Sequence, residues 1–70
     1  MEEKFLEFTA EIMEVDEGEI SMETRYKEGV WDSLMMITLV MELEAEYGVS
    51  IPMEKLGGVK TLRDLYDLVR

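Results

Sequence analysis

The chain offers carboxylates and hydroxyls, and little else with which to do chemistry. It holds 17 Asp and Glu residues but no histidine and no cysteine. That removes the commonest general base, the thiol nucleophile and the usual transition-metal ligands. No glycine-rich phosphate loop is present either. The carboxylates recur on what reads as a solvated helix face, where nothing desolvates them enough to shift their proton affinity. The run Asp16-Glu17-Gly18-Glu19 invites a calcium-loop reading, but an EF-hand places a glutamate six residues after its glycine, and that position is Thr24. One stretch stands apart: Val30-Trp31-Asp32-Ser33-Leu34-Met35-Met36-Ile37. Its polar pair sits where an irregular segment ends and the longest apolar run begins. Asp32 is a good N-cap, so Ser33 is expected at a helix start with its hydroxyl exposed. No base stands beside it, so Ser33 is not a self-activated nucleophile. It reads instead as a recipient, a hydroxyl to which another enzyme attaches a group. The dipole of a helix N-terminus favours an attached phosphate. A stand-alone enzyme is not expected.

Positioning that hydroxyl requires helices, and the spacing of apolar residues supplies them. Phe5, Phe8, Ile12 and Val15 recur at three to four residues and predict a first helix from Glu2 to Val15, with Phe5 and Phe8 in the core. Residues 16–32 form a long connection. Its Ile20, Met22, Tyr26, Val30 and Trp31 hold too much apolar area for disorder, so it is expected to pack across the helices. Gly29 supplies a turn there. A second helix runs from Ser33 to Tyr47, with Gly48 just past its end. Met36, Leu39, Val40, Leu43 and Tyr47 share one face of it. Leu34, Ile37 and Met41, with Met35 beside them, share another. Either the last helices cover that second face or it is an exposed docking strip, and methionines suit surfaces that adapt to several partners. Pro52 opens a short helical turn over residues 53–56, stopped by Gly57 and Gly58. Thr61 and Asp64 resemble a capping box at the head of a last helix, with Leu62, Leu65, Tyr66 and Val69 as its apolar stripe. Lys55, Lys60, Arg63 and Arg70 read as solvent-facing charges. No alternation is long enough for a strand. The fold class is all-α, with residues 1–70 forming one domain.

Charge narrows the partners. The net charge is −10, and residues 1–19 alone hold eight acids and one lysine. Phosphate backbones repel such a chain, so nucleic acid is not an expected ligand. Basic protein surfaces are steered toward it. No apolar run approaches the roughly 20 residues of a membrane span. The acidic start is unlike a signal peptide, and the lack of cysteine fits a reducing compartment. The expectation is a free-standing cytoplasmic monomer.

Asp32-Ser33-Leu34, then Val40-Met41-Glu42-Leu43-Glu44, then Tyr47-Gly48-Val49-Ser50-Ile51-Pro52, together resemble the acyl carrier protein family. Ile20, Tyr26, Glu28 and Gly29 upstream, and the closing helix from Thr61 to Val69, fall in the family's order, so the resemblance spans the chain. It implies a four-helix bundle of three main helices and one short one, with a long first loop. It implies a phosphoprotein in which a phosphopantetheinyl transferase attaches 4′-phosphopantetheine from coenzyme A to Ser33. That arm supplies the thiol the chain lacks, and acyl groups ride on it as thioesters. Acyl-loading and acyl-processing enzymes are the implied partners, recognising Asp32, Leu34, Met35, Ile37 and Met41. Carriers of fatty acid synthesis usually place acids two and five residues after the serine; here those positions are Met35 and Thr38. The Trp-Asp-Ser-Leu form is similar to specialised free-standing carriers, including those of polyketide or surface-polymer pathways. Two alternatives remain beside it: an aminoacyl or peptidyl carrier, and an acidic helical interaction module without covalent cargo.

Overall fold

The computed structural model describes residues 2–70. Helix α1 spans Glu2–Met13, α2 Ser33–Tyr47, α3 Met53–Leu56 and α4 Leu62–Val69. Among the described residues there is no strand, only one isolated antiparallel bridge between Arg25 and Thr61. The architecture is the all-α bundle of three main helices and one short one.

Helix α1 stops two residues before the expected Val15. Glu14 adopts a left-handed conformation (φ 60°). Its amide donates to Glu11 O at 3.2 Å and the Val15 amide to Ala10 O at 3.1 Å. That pair of bonds is the Schellman closure of a helix, here with glutamate where glycine is usual. Phe5, Ala10 and Met13 are buried along the inner face, whereas Phe8 is only half-buried against the core. The fully buried Thr9 leaves its hydroxyl without a partner.

The long loop is not slack. A 3₁₀ turn over Glu17–Glu19 opens it. Its middle then lies along the head of α4, joined by main-chain bonds. The Tyr26 amide donates to Lys60 O at 2.9 Å, Leu62 to Thr24 O at 3.0 Å and Arg63 to Met22 O at 2.8 Å. Met22 and Trp31 are buried beneath it.

Helix α2 keeps its expected bounds. Asp32 Oδ1 accepts the Met35 amide at 2.8 Å, and Gly48 ends the helix in the left-handed region (φ 65°). Met36, Leu39, Val40 and Leu43 face the core. The Ile51 amide donates to Glu44 Oε2 at 2.7 Å, holding the link to α3 against α2. At α4 the capping box forms as expected. The Asp64 amide donates to Thr61 Oγ1 at 3.4 Å, and Asp64 Oδ2 accepts the amides of Lys60 at 2.9 Å and Thr61 at 3.2 Å. Leu62, Leu65 and Val69 are buried, and Tyr66 meets Phe5 edge-on with centroids 5.0 Å apart.

Arg63 departs from its expected role as a plain solvent-facing charge. It bridges Glu2 of α1 at 3.0 Å and Glu23 of the loop at 2.9 Å. Arg70 likewise pairs with Asp67 at 2.9 Å.

Candidate functional site

The site is the head of α2 and the turn that delivers it. Two left-handed residues, Lys27 (φ 75°) and Gly29 (φ 60°), fold residues 26–32 back on themselves. The Lys27 amide donates to Trp31 O at 2.7 Å and the Asp32 amide to Val30 O at 3.0 Å. Trp31 plugs into the core with no exposed surface and anchors the turn from below. Its indole N–H is buried without a partner. The chain then enters α2 through Asp32, whose backbone is extended (φ −98°, ψ −173°) while its carbonyl accepts the Met36 amide at 2.9 Å.

Ser33 is the first residue of the helix and is exposed. Its Oγ lies 3.1 Å from Tyr26 Oη, where either hydroxyl can donate. First-turn amides have no intrahelical acceptor, and the positive end of the helix dipole points at this corner. A phosphodiester on Ser33 Oγ therefore fits: the oxygen faces solvent, and the positive end of the local dipole favours the added negative charge. Nothing here removes the Ser33 proton. The cap occupies one Asp32 oxygen, and among the described residues no group of histidine, cysteine or carboxylate side chains could hold a metal ion.

The second face of α2 is left uncovered by the other helices. Leu34 is 74% exposed, Ile37 54% and Met41 65%. Met35 differs: it is half-buried and packs against the core, so it adds less to this strip than its neighbours. Thr38 turns its hydroxyl back to donate to Leu34 O at 3.2 Å. The first turn of α2 carries no acidic side chain.

Asp32, Ser33, Leu34 and Ile37 lie together at the exposed head of α2. The structure adds residues the spacing did not single out. Met53 is a further exposed hydrophobic, at 75%, and Val30, expected to pack with the rest of the loop, is instead 47% exposed. Tyr26 was legible only as apolar bulk, yet its hydroxyl is the side-chain partner of Ser33. What the sequence offers for this role is only a phenol close upstream of the serine.

Residues 3–69 match the protein family described as "phosphopantetheine attachment site". An acyl carrier protein of Rubrobacter xylanophilus is 37% identical over 68 residues, covering 96% of this chain and 84% of that protein. Acyl carrier proteins of Rickettsia canadensis and Rickettsia typhi are each 32% identical over 71 residues, covering this whole chain and 83% of theirs. With a matching bundle and a matching family over nearly its full length, this chain belongs to the acyl carrier protein family, carriers that hold cargo on a covalent 4′-phosphopantetheine.

Proposed function

We propose that Ser33 receives the 4′-phosphopantetheine and that residues 1–70 act as one specialised carrier domain. One observation carries the reading: an exposed serine hydroxyl stands at the capped head of α2, immediately before an uncovered apolar face. In the transfer, Ser33 Oγ attacks the phosphorus of coenzyme A that bears the pantetheine. The Oγ–P bond forms, and the P–O bond to adenosine 3′,5′-bisphosphate breaks. The Ser33 proton leaves to a base of the phosphopantetheinyl transferase, since this chain has no histidine to take it. Once attached, the arm contributes a thiol for thioester carriage.

Enzymes that load and process acyl groups are the partners of such a carrier. We assign their contact to Leu34, Ile37 and Met41, with Asp32 and Met35 at the margin. The exposure of the first three supports this, and so do a cap that occupies Asp32 and the core packing of Met35. Met35 and Thr38, standing where acids are usual, favour partners that dock on an apolar rather than a basic face. That supports a specialised fatty acid, polyketide or related pathway. Acid-rich surfaces elsewhere would still steer encounter. A net charge of −10 disfavours self-association, which supports a monomer, and the cysteine-free composition fits the cytoplasm.

The test is intact mass. Incubated with coenzyme A and a promiscuous phosphopantetheinyl transferase, the wild type should gain about 340 Da and Ser33→Ala nothing. An unmodified wild type, or an equal gain on Ser33→Ala, would overturn the assignment. Mass spectrometry of native protein with its acyl group in place then identifies the cargo.

A further inference from the structure

Tyr26 is held in a way that its neighbours in the loop are not. Its amide is fixed to Lys60 O at 2.9 Å. Its ring lies against buried Trp31, with centroids 5.4 Å apart and planes at 58°. The Lys27 ammonium sits over the same ring, 5.7 Å from its centre. Main chain, ring face and cation thus fix the phenol, and its oxygen ends 3.1 Å from Ser33 Oγ. A serine hydroxyl has three staggered positions open to it, and a contact of this length selects among them.

The bond also changes character when Ser33 is modified. As a free hydroxyl, Ser33 can donate to Tyr26 or accept from it. As a phosphodiester, it has no hydrogen and carries a negative charge. Tyr26 keeps its one O–H and can then only donate, to the ester oxygen or to a phosphoryl oxygen beside it. A hydrogen bond to an ionised acceptor is about twice as strong as one between neutral groups.

We propose that Tyr26 is a positioning residue for the attachment. Its phenol sets the direction of the Ser33 hydroxyl before transfer and afterwards donates to the phosphodiester, fastening the root of the arm to the long loop. Tyr26 neither gains nor loses a proton in this role, and the bonds made and broken are those given above. The inference rests on Ser33 being the residue modified.

Tyr26→Phe is the discriminating variant, because it keeps the ring on Trp31 and under Lys27 and removes only the oxygen. We expect it to load with kcat lowered about three- to tenfold and KM for the carrier unchanged, the size of one ordinary hydrogen bond acting in the chemical step. In holo-protein, the ³¹P resonance of the phosphodiester should differ between wild type and Tyr26→Phe, which a purely packing role would not produce. A readout on wild type alone guards against misfolding of the variant: the Tyr26 Cζ resonance should move between apo and holo forms. An unchanged ³¹P shift, an unchanged Cζ shift, or a kcat equal to that of wild type each overturns the role of Tyr26 while leaving Ser33 as the attachment residue. A wild type that takes up no mass overturns the attachment instead.

Discussion

Asp32 does two jobs with two different atoms. Its Oδ1 accepts the Met35 amide and its carbonyl accepts that of Met36. Removing the side chain leaves a first-turn amide to water and loosens the residue that carries the hydroxyl. We expect Asp32→Ala to cost about 1 kcal/mol, read as a lower urea midpoint at unchanged slope, and Asp32→Asn to cost much less because it still caps. A midpoint equal to wild type for Asp32→Ala would mean that the cap contributes nothing. Ser33 and its cap were legible because capping is local: the preference of Asp for N-cap and the apolar run after it lie within a few residues. Tyr26 was not. Its meeting with Ser33 depends on the left-handed turns at Lys27 and Gly29 and on the burial of Trp31. No periodicity encodes a contact made across such a turn.

The helices end by one geometry with two different residues. After α2 the left-handed position is Gly48; after α1 it is Glu14. A side chain there costs about 1–2 kcal/mol relative to glycine, and a negative charge at a helix C-terminus adds to the cost. Glu14→Gly should therefore stabilise the protein by about 1 kcal/mol, measured as a raised urea midpoint. A lowered midpoint would contradict the Schellman closure. The same pair explains why α2 was bounded correctly and α1 overrun. Asp32 and Gly48 announce both ends of α2, whereas Glu14 gives no stop signal and Val15 keeps the apolar register, half-buried, beyond the true end. At α4, the Lys60 amide donates to the Asp64 carboxylate and holds it below the usual carboxylate range. Partial burial opposes this, and bonds from Thr61 add to it. A lowered folded-state value stabilises the protein above the ordinary carboxylate pKa, and that contribution is lost as pH falls through the lowered value. Asp64→Asn keeps an acceptor but has no proton to take. Wild type should exceed it in stability at about pH 6, and the gap should close below about pH 3.9. A gap that stays constant in acid would remove the carboxylate from the argument.

Taken whole, the molecule is a small core inside a shell of negative charge. The net charge is −10 on 70 residues. Arg63 offsets part of it by joining α1, the loop and α4, but its side chain and both partners are about half exposed or more, so these pairs contribute little in water. Self-repulsion should dominate. The melting temperature should rise from low salt to physiological ionic strength, where the Debye length is about 8 Å. A melting temperature flat across that range would show that the charges are too far apart to oppose folding. The uncovered face of α2 belongs to this level too. Residue spacing left open whether other helices would cover Leu34, Ile37 and Met41. Only the packing of the complete chain decided it, because α1 and α4 are both spent on the opposite face.

The pairing of the long loop with the head of α4 also sets the order in which the molecule can be completed. Met22, Thr24 and Tyr26 are joined to Arg63, Leu62 and Lys60, residues far along the chain from them. Such non-local pairings form late in folding. During synthesis α4 emerges after the loop, α2 and the serine. A nascent chain that has made everything up to α3 therefore still lacks the partners of its loop, and with them the support beneath Tyr26. On the role proposed for Tyr26, the carrier should reach its full loading rate only once α4 has docked, so a partly made chain should be a slower substrate than the folded molecule.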